Sequence, residues 1–553
     1  MLGIRSRYGK LHFGAISSLC LSLADCRTRT SSKRSAAKTQ LERAQRSAEP
    51  DGASGIRGLK PRPGGHTILG MKPSFRPLSV SVFVLLFLFI LPLGAQHWSL
   101  EDTLVLTDVN VVDVRSGEVR ADQVVIIVKN RITTVGPRKP TRYPRNAATI
   151  NGRGAYLIPG LWDMHVHLAF GDWFPLAQQI TLPLLVANGI TGVRDMGSEL
   201  DTVQGWRNEI EVGRLIGPRI MTSGPMLDGP KPRFPSSIAI TTPEDGRHAV
   251  NNLKHAGVDF IKLQSLSPRD AVLAIADEAR QQEIPFEGHV PDAMRASEMS
   301  EAGMHSFEHL IGVFEGSSPL EDEFLKGDKT ETRFLTSYDP ERAAALAELL
   351  AKNQTWQCPT LVWERGGNLI DVTDFSKDAR AKYVPAYWKD QTWKKFTEQV
   401  ESEFNTDDLE TRKKFIEKEL EVVQLLHKAG VPFLAGTDTP PGVYIFPGFS
   451  LHEELQRFVA AGFTPLEALQ TATINPARFF HMEDQLGTIE SGKIADLVLL
   501  DANPLADISN SQKVSGVILN GRFLSRNDLE KILQGVEQAA KKEPPKRRDA
   551  GVF

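Results

Sequence analysis

The sequence predicts an α/β protein, a (β/α)8 barrel with a small β-sandwich domain built from both flanks, and three observations carry that prediction. Eight apolar, β-rich runs occur at 157–167, 189–196, 217–224, 258–264, 284–290, 305–310, 356–363 and 431–438. Helical stretches at 174–188, 201–213, 244–256, 269–282 and 291–303 separate most of them, and strands alternating with helices imply parallel βα units. Short strands with period-two patterning and Gly turns occupy 104–135, and the same texture returns at 496–501 and 514–523. A doubly wound open sheet would show the same alternation, but eight units favour a barrel, with its active site at the C-terminal strand ends.

Taken in chain order, the expected units are an extension at 1–70, a signal peptide at 71–95 and a first β flank at 96–156. The barrel follows at 157–485, then the second β flank at 486–525 and a charged tail at 526–553. The stretch 364–428 is long for a βα connection and reads as a helical insertion beside the barrel mouth, a candidate lid.

The start of the chain reads as a targeting segment. An apolar run from Val80 to Leu91 follows Lys72 and Arg76 and precedes Leu93-Gly-Ala. It is too short to span a bilayer comfortably and has the parts of a secretory signal, with cleavage expected after Ala95. An uncleaved anchor is the alternative. Residues 1–70 are Arg-, Ser- and Gly-rich and read as disordered or as a misplaced gene start ahead of Met71.

Composition bounds the rest. Hydrophobic residues make up 41% of the 553 and charged residues 24%, which excludes a collagen-like, largely disordered or multi-span membrane chain. Residues 1–95 hold 15 Lys+Arg against 4 Asp+Glu, leaving 50 against 64 in the remainder. The folded part is therefore acidic, and no nucleic-acid partner is expected. Of three cysteines, Cys20 and Cys26 lie in the extension, so a cleaved chain keeps only Cys358 and no internal disulfide.

The polar residues that matter lie at strand ends. His165 and His167 close the first run, and alternate residues of a strand face the same way. His289 ends the fifth run, His309 the sixth and Asp438 the eighth, with Lys262 near the end of the fourth. A lysine between Ile261 and Leu263 is costly as a buried ammonium. Each has an ordinary reading alone; six at five strand ends point to a shared site. Arg194, Met226, Asp228, Arg233, Trp363 and Tyr444 are candidate substrate contacts, though Arg194 reads more as an ion-pair partner. His452 is expected on a helix surface, with His248 and His255 exposed, His305 at a turn, and His427 and His481 peripheral.

The ordered set of motifs resembles the amidohydrolase superfamily, in its imidazolonepropionase-related and prolidase-like branch. It comprises Pro159-Gly-Leu-Trp-Asp-Met-His-Val-His, Gly189-Ile-Thr-Gly-Val-Arg-Asp, Asp259-Phe-Ile-Lys, Gly288-His-Val-Pro, Phe307-Glu-His and Ala435-Gly-Thr-Asp-Thr. Thr464-Pro-Leu-Glu-Ala-Leu, Asn475-Pro-Ala-Arg and the run from Leu486 to Val498 extend it, so that it covers about 103–525.

The resemblance implies two divalent metal ions, with zinc expected. His165, His167 and Asp438 would hold one, His289 and His309 the other, and a carboxylated Lys262 would bridge them. It implies hydrolysis of an amide, peptide or cyclic amide by metal-activated hydroxide, with Asp438 as the proton shuttle. An Xaa-Pro-type dipeptide is one candidate substrate. A lactone or ester hydrolase, and a barrel that binds metal without turnover, are the alternatives. The expected protein is exported to the periplasm or outside the cell, is not stably inserted in a membrane after cleavage, and takes a small molecule or short peptide; a homo-oligomer is left open.

Overall fold

The computed structural model describes residues 102–543 apart from 233, 235, 328, 370–371, 375–376, 395–406 and 441–443. The extension with Cys20 and Cys26, the signal segment at 71–95 and the candidate contact Arg233 lie outside the described residues.

Val- and Ile-rich alternation makes strands of the first flank. β1 (Thr103–Val112) pairs antiparallel with β2 (Val119–Val128), which pairs antiparallel with β3 (Arg131–Pro137). β4 (Ala148–Asn151) and β5 (Tyr156–Pro159) run parallel to successive parts of β1.

At Gly160 the chain leaves this sheet and enters β6 (Leu161–Val166). The expected strand 157–167 is therefore two strands in two sheets. A Cβ at position 160 would lie 2.0 Å from Thr191 Oγ1, so only glycine lets the chain cross here. β6 pairs in parallel with β7 (Ile190–Asp195), and β7 with β8 (Arg219–Thr222).

Two short strands not anticipated from the sequence follow, β9 (Leu227–Asp228) and β10 (Ile238–Ala239). They join a second parallel sheet with β11 (Ile261–Leu263), β12 (Phe286–Gly288), β13 (Ser306–Glu308) and β14 (Trp356–Cys358), in the order β10-β9-β11-β12-β13-β14. Lys262 is opposite Glu287, and Glu308 opposite Cys358.

Hydrogen bonds link the two parallel sheets. Asp259 N donates to Thr222 O between β8 and β11. On the other side, the segment 431–439 lies between β14 and β6: Leu434 N donates to Gln357 O, Met164 N to Ala435 O and His167 N to Thr439 O. This segment was expected as a regular strand. It forms isolated bridges at Gln357–Phe433 and Val166–Thr439, and at Asp438 the backbone turns to φ 57°.

The second flank returns to the first sheet. β15 (Leu497–Leu500) pairs antiparallel with β5 and with β16 (Val514–Leu519), which pairs with β17 (Arg522–Ser525). The strands of both flanks thus join in one eight-stranded hydrogen-bonded sheet. β5, at the edge of the first-flank strands, receives β15.

Helices cover the parallel strands. The helix Pro243–Ala256 shows why the sequence folds so: Thr242 and Asp245 form a capping box, Pro243 fills the first turn, and Gly257 ends it at φ 82°. Its buried Gly246, Ala249, Val250 and Leu253 follow the helical repeat. The run expected as a strand at 356–363 is strand only to Cys358. Thr360 caps the helix Leu361–Asn368, which carries Trp363. Of the insertion at 364–428, the 20-residue helix Leu409–Lys428 begins at the Asp408 cap. The charged tail opens with another helix, Arg526–Ala540, whose Leu529, Val536, Ala539 and Ala540 are buried. Among the described residues no helix is long and apolar enough to cross a membrane.

Candidate metal centre

Four imidazoles, a lysine and a carboxylate converge at the C-terminal ends of the parallel strands. His165 and His167 come from β6 and the residue after it, with ring centres 5.4 Å apart. His309, just past β13, lies 4.6 Å from His165 and 5.0 Å from His289, ring centre to centre. Asp438 Oδ1 is 3.2 Å from His167 Nε2 and 3.5 Å from His165 Nε2. His309 and Asp438 both have left-handed backbones, φ 58° and 57°. Non-glycine residues rarely accept that conformation, and it is concentrated at functional sites. Gly436 permits the approach of the last segment, since a Cβ there would meet Cys358 Sγ at 2.5 Å.

Each ring is held by its other nitrogen. His165 Nδ1 donates to Glu308 Oε2 (2.7 Å) and His167 Nδ1 to the carbonyl of Gly197 (3.0 Å). Nδ1 of His289 meets Ser265 Oγ at 2.8 Å, and Nδ1 of His309 meets Thr360 Oγ1 at 2.6 Å. A partner on Nδ1 orients the ring and leaves Nε2 as the donor atom for a metal.

Among the described residues, three buried polar atoms of the centre make no hydrogen bond: His165 Nε2, Lys262 Nζ and Asp438 Oδ1. Such orphans are costly unless another group completes them. The donor set of imidazole nitrogen and carboxylate oxygen suits a divalent ion such as zinc. His165, His167 and Asp438 alone bring three ligand atoms within 4.8 Å of one another. His165, Glu308 and Cys358 also cluster, but burial pushes the Cys358 thiol well up, keeping it protonated and a poor ligand.

Electrostatics follow the burial. Desolvation lowers His165 well below the usual imidazole range and His309 to about 4, so both are neutral and able to donate a lone pair. Burial also lowers Lys262 to about 8, although Glu308 and Asp438 favour its charge. Burial disfavours the charge on Asp438, whereas positive charge at the positions of the imidazoles 165, 309 and 167 favours it and holds the carboxyl below its usual range.

Residues 156–524 match the amidohydrolase family. The chain belongs to that family. It is 23% identical to an adenine deaminase from Clostridium botulinum over 433 residues, 77% of this chain but only 58% of the deaminase. It is 23% identical over 461 residues to an ochratoxinase from Aspergillus niger, covering 72% of this chain and 82% of that enzyme. Among solved structures it resembles a Bifidobacterium longum protein provisionally assigned as a prolidase, with 25% identity, a TM-score of 0.57, and coverage of 79% of this chain and 99% of that one. The shared architecture is an α/β fold of the TIM-barrel type.

Within this amidohydrolase the remaining candidates divide. Arg194 is fully buried beneath the centre and bonds Met164 O, Glu287, Ser306 and both oxygens of Glu308, so it is structural and not a substrate contact. The carboxylate of Asp228 accepts from Leu266 N. Met226 is buried against Gln264. Trp363 does approach the centre, 5.8 Å from the His309 ring. Tyr444 packs on Trp393 at 5.3 Å, in the apolar cluster that also holds Phe170 and Met226. His452, expected on a surface, is buried between Ser511 Oγ and the carbonyl of Asn188, because its helix packs that face inward.

Residues not singled out from the sequence complete the centre. Glu308, Glu287 and Asp163 are buried carboxyls inside apolar strands, a pattern that demands partners and could have marked them. Asp163 accepts from Thr437 N and Oγ1 and from His165 N, tying the last segment to β6. Its burial raises it to about 7.

Proposed function

We propose that the chain is a metal-dependent hydrolase of C–N bonds, acting on an amide, peptide or cyclic amide, with an Xaa-Pro-type dipeptide as the first substrate to try. The observation that supports this best is the convergence of four rings, each anchored through Nδ1, around the unpartnered Lys262 Nζ and Asp438 Oδ1. In this reading the strands close as an eight-stranded (β/α)8 barrel, for which the bonds from 431–439 to β14 and β6 are the support.

His165, His167 and Asp438 would hold one divalent ion, and His289 and His309 a second, zinc being the expected metal. Lys262 would bridge them as a carbamate, formed when its neutral amine attacks carbon dioxide and releases a proton. That step needs an uncharged amine, and burial, by lowering the pKa to about 8, makes a minor fraction of it available near neutral pH. It also turns a costly buried cation into an anion. When bound, the ions would lower the pKa of a shared water and polarise the scissile carbonyl. Asp438, ionised and within reach of that position, would accept the proton and return it to the leaving nitrogen. Trp363, beside His309, would form one wall of the substrate pocket.

Export from the cell through the Val80–Leu91 signal is part of the same proposal. The test is a panel of dipeptides, including Xaa-Pro, with amides, cyclic amides, esters and lactones, assayed on zinc-loaded protein. Turnover of amide or peptide bonds is expected. Turnover of esters or lactones alone would overturn the C–N assignment.

A further inference from the structure

Among the described residues, His165 is the ring at the centre whose Nδ1 meets a carboxylate. His167 meets a carbonyl and His289 and His309 meet hydroxyls, whereas His165 Nδ1 donates to Glu308 Oε2 at 2.7 Å. Glu308 is itself fixed on every side. Arg194 Nη2 reaches both of its oxygens at 2.9 Å, and Ser306 Oγ donates to Oε1 at 2.6 Å. Glu308, Arg194 and His165 are all wholly buried.

A carboxylate can only accept from His165, so the proton is placed on Nδ1 and the lone pair on Nε2. That Nε2 has no hydrogen-bond partner and lies 3.5 Å from Asp438 Oδ1. A charged acceptor also makes the imidazole a stronger donor than a neutral one does. The guanidinium, whose Nη2 reaches both oxygens, stops Glu308 rotating away.

We propose that Glu308 is a positioning residue, clamped by Arg194, that presents His165 Nε2 to a divalent ion held with His167 and Asp438. This rests on the metal-centre reading above. Glu308 would act through His165 and touch neither the ion nor the substrate.

The competing role is that Glu308 merely neutralises the buried Arg194. Glu287 provides a matched control. It too bonds Arg194, at 3.0 Å, and it too is wholly buried, but its other hydrogen bond comes from Ser306 and not from a ring at the centre. Glu308→Gln and Glu287→Gln each remove one carboxylate from the same guanidinium, and only the first removes the charge from His165.

The experiment is zinc titration of the full chain in competition with a chromophoric chelator, for wild type and both variants, with thermal unfolding of the metal-free proteins alongside. Glu308→Gln should weaken binding of one zinc ion about 10–100-fold, and clearly more than Glu287→Gln does. Equal loss in the two variants would overturn the positioning role and leave the metal centre standing. A wild-type chain that binds no zinc would overturn the metal centre, and this inference with it. If Glu308→Gln does not fold, nitrogen-15 spectra of histidine-labelled wild type decide. A strongly hydrogen-bonded Nδ1–H resonance, missing from His165→Gln, is expected. Its absence from the wild type would overturn the proposal.

Discussion

Asp438 Oδ1 lies 3.2 Å from His167 Nε2, which joins the end of the eighth run to the end of the first. Neighbouring main-chain bonds hold the pair in place: Asp438 N donates to His165 O, and His167 N to Thr439 O. These bonds hold the two backbone segments side by side. Asp438→Asn keeps the volume and an oxygen but removes the base. It should fold normally and lose roughly 10²–10⁴-fold in kcat. Stopped assays on metal-saturated protein check this, and near-normal turnover would remove Asp438 as the proton shuttle.

Lys262 should set function against stability. Its amine is buried without a partner, and a bridging role explains why such a costly group is kept. Lys262→Met preserves an unbranched apolar stem and deletes the amine. The metal-free variant should gain roughly 1–3 kcal/mol in denaturant unfolding while losing bound metal and activity. A variant that keeps full metal occupancy would contradict the bridge.

His452 should give the fold an acid-sensitive point away from the centre. Burial lowers its pKa from 6.5 to about 4, although the bond to Asn188 O opposes the shift. The folded state thus prefers the neutral ring. Its contribution is complete above about pH 6.5 and is lost as pH falls toward 4. The stability gap between wild type and His452→Gln should narrow by about 1.4 kcal/mol per pH unit across that window. A gap independent of pH would show that the ring is not held neutral.

Deleting residues after 485 should unfold the chain. β15 covers β5 along four residue pairs, and the helix Arg526–Ala540 buries Leu529 and Val536. The truncated chain is expected to melt far below the full one. An unchanged melting temperature would show that the flanks fold independently.

Much of this architecture is legible in the sequence because burial writes it there. Apolar runs bounded by polar ends mark the parallel strands, and the polar ends themselves mark His165, His167, Lys262, His289, His309 and Asp438. What stays hidden depends on long-range pairing. Nothing local says that the chain changes sheets at Gly160, since the cause is Thr191 on the next strand. Likewise β5 reads as part of β6 until its partner β15 is known. Arg194 and Glu308 look like two unrelated charges until the fold brings β7 and β13 together. His452 sits in a helix with charged neighbours, so its burial depends on Ser511 and Asn188, far away in sequence.

The central claim is that the four histidines, Lys262 and Asp438 form one metal centre, and metal content tests it most directly. Elemental analysis of the full chain, purified without added metal and then zinc-loaded and dialysed, should find two divalent ions per chain. His165→Ala and His289→Ala should each lose one while keeping the wild-type far-ultraviolet circular dichroism. A wild-type chain that holds no divalent ion after loading, or histidine variants that hold as many as wild type, would contradict the account.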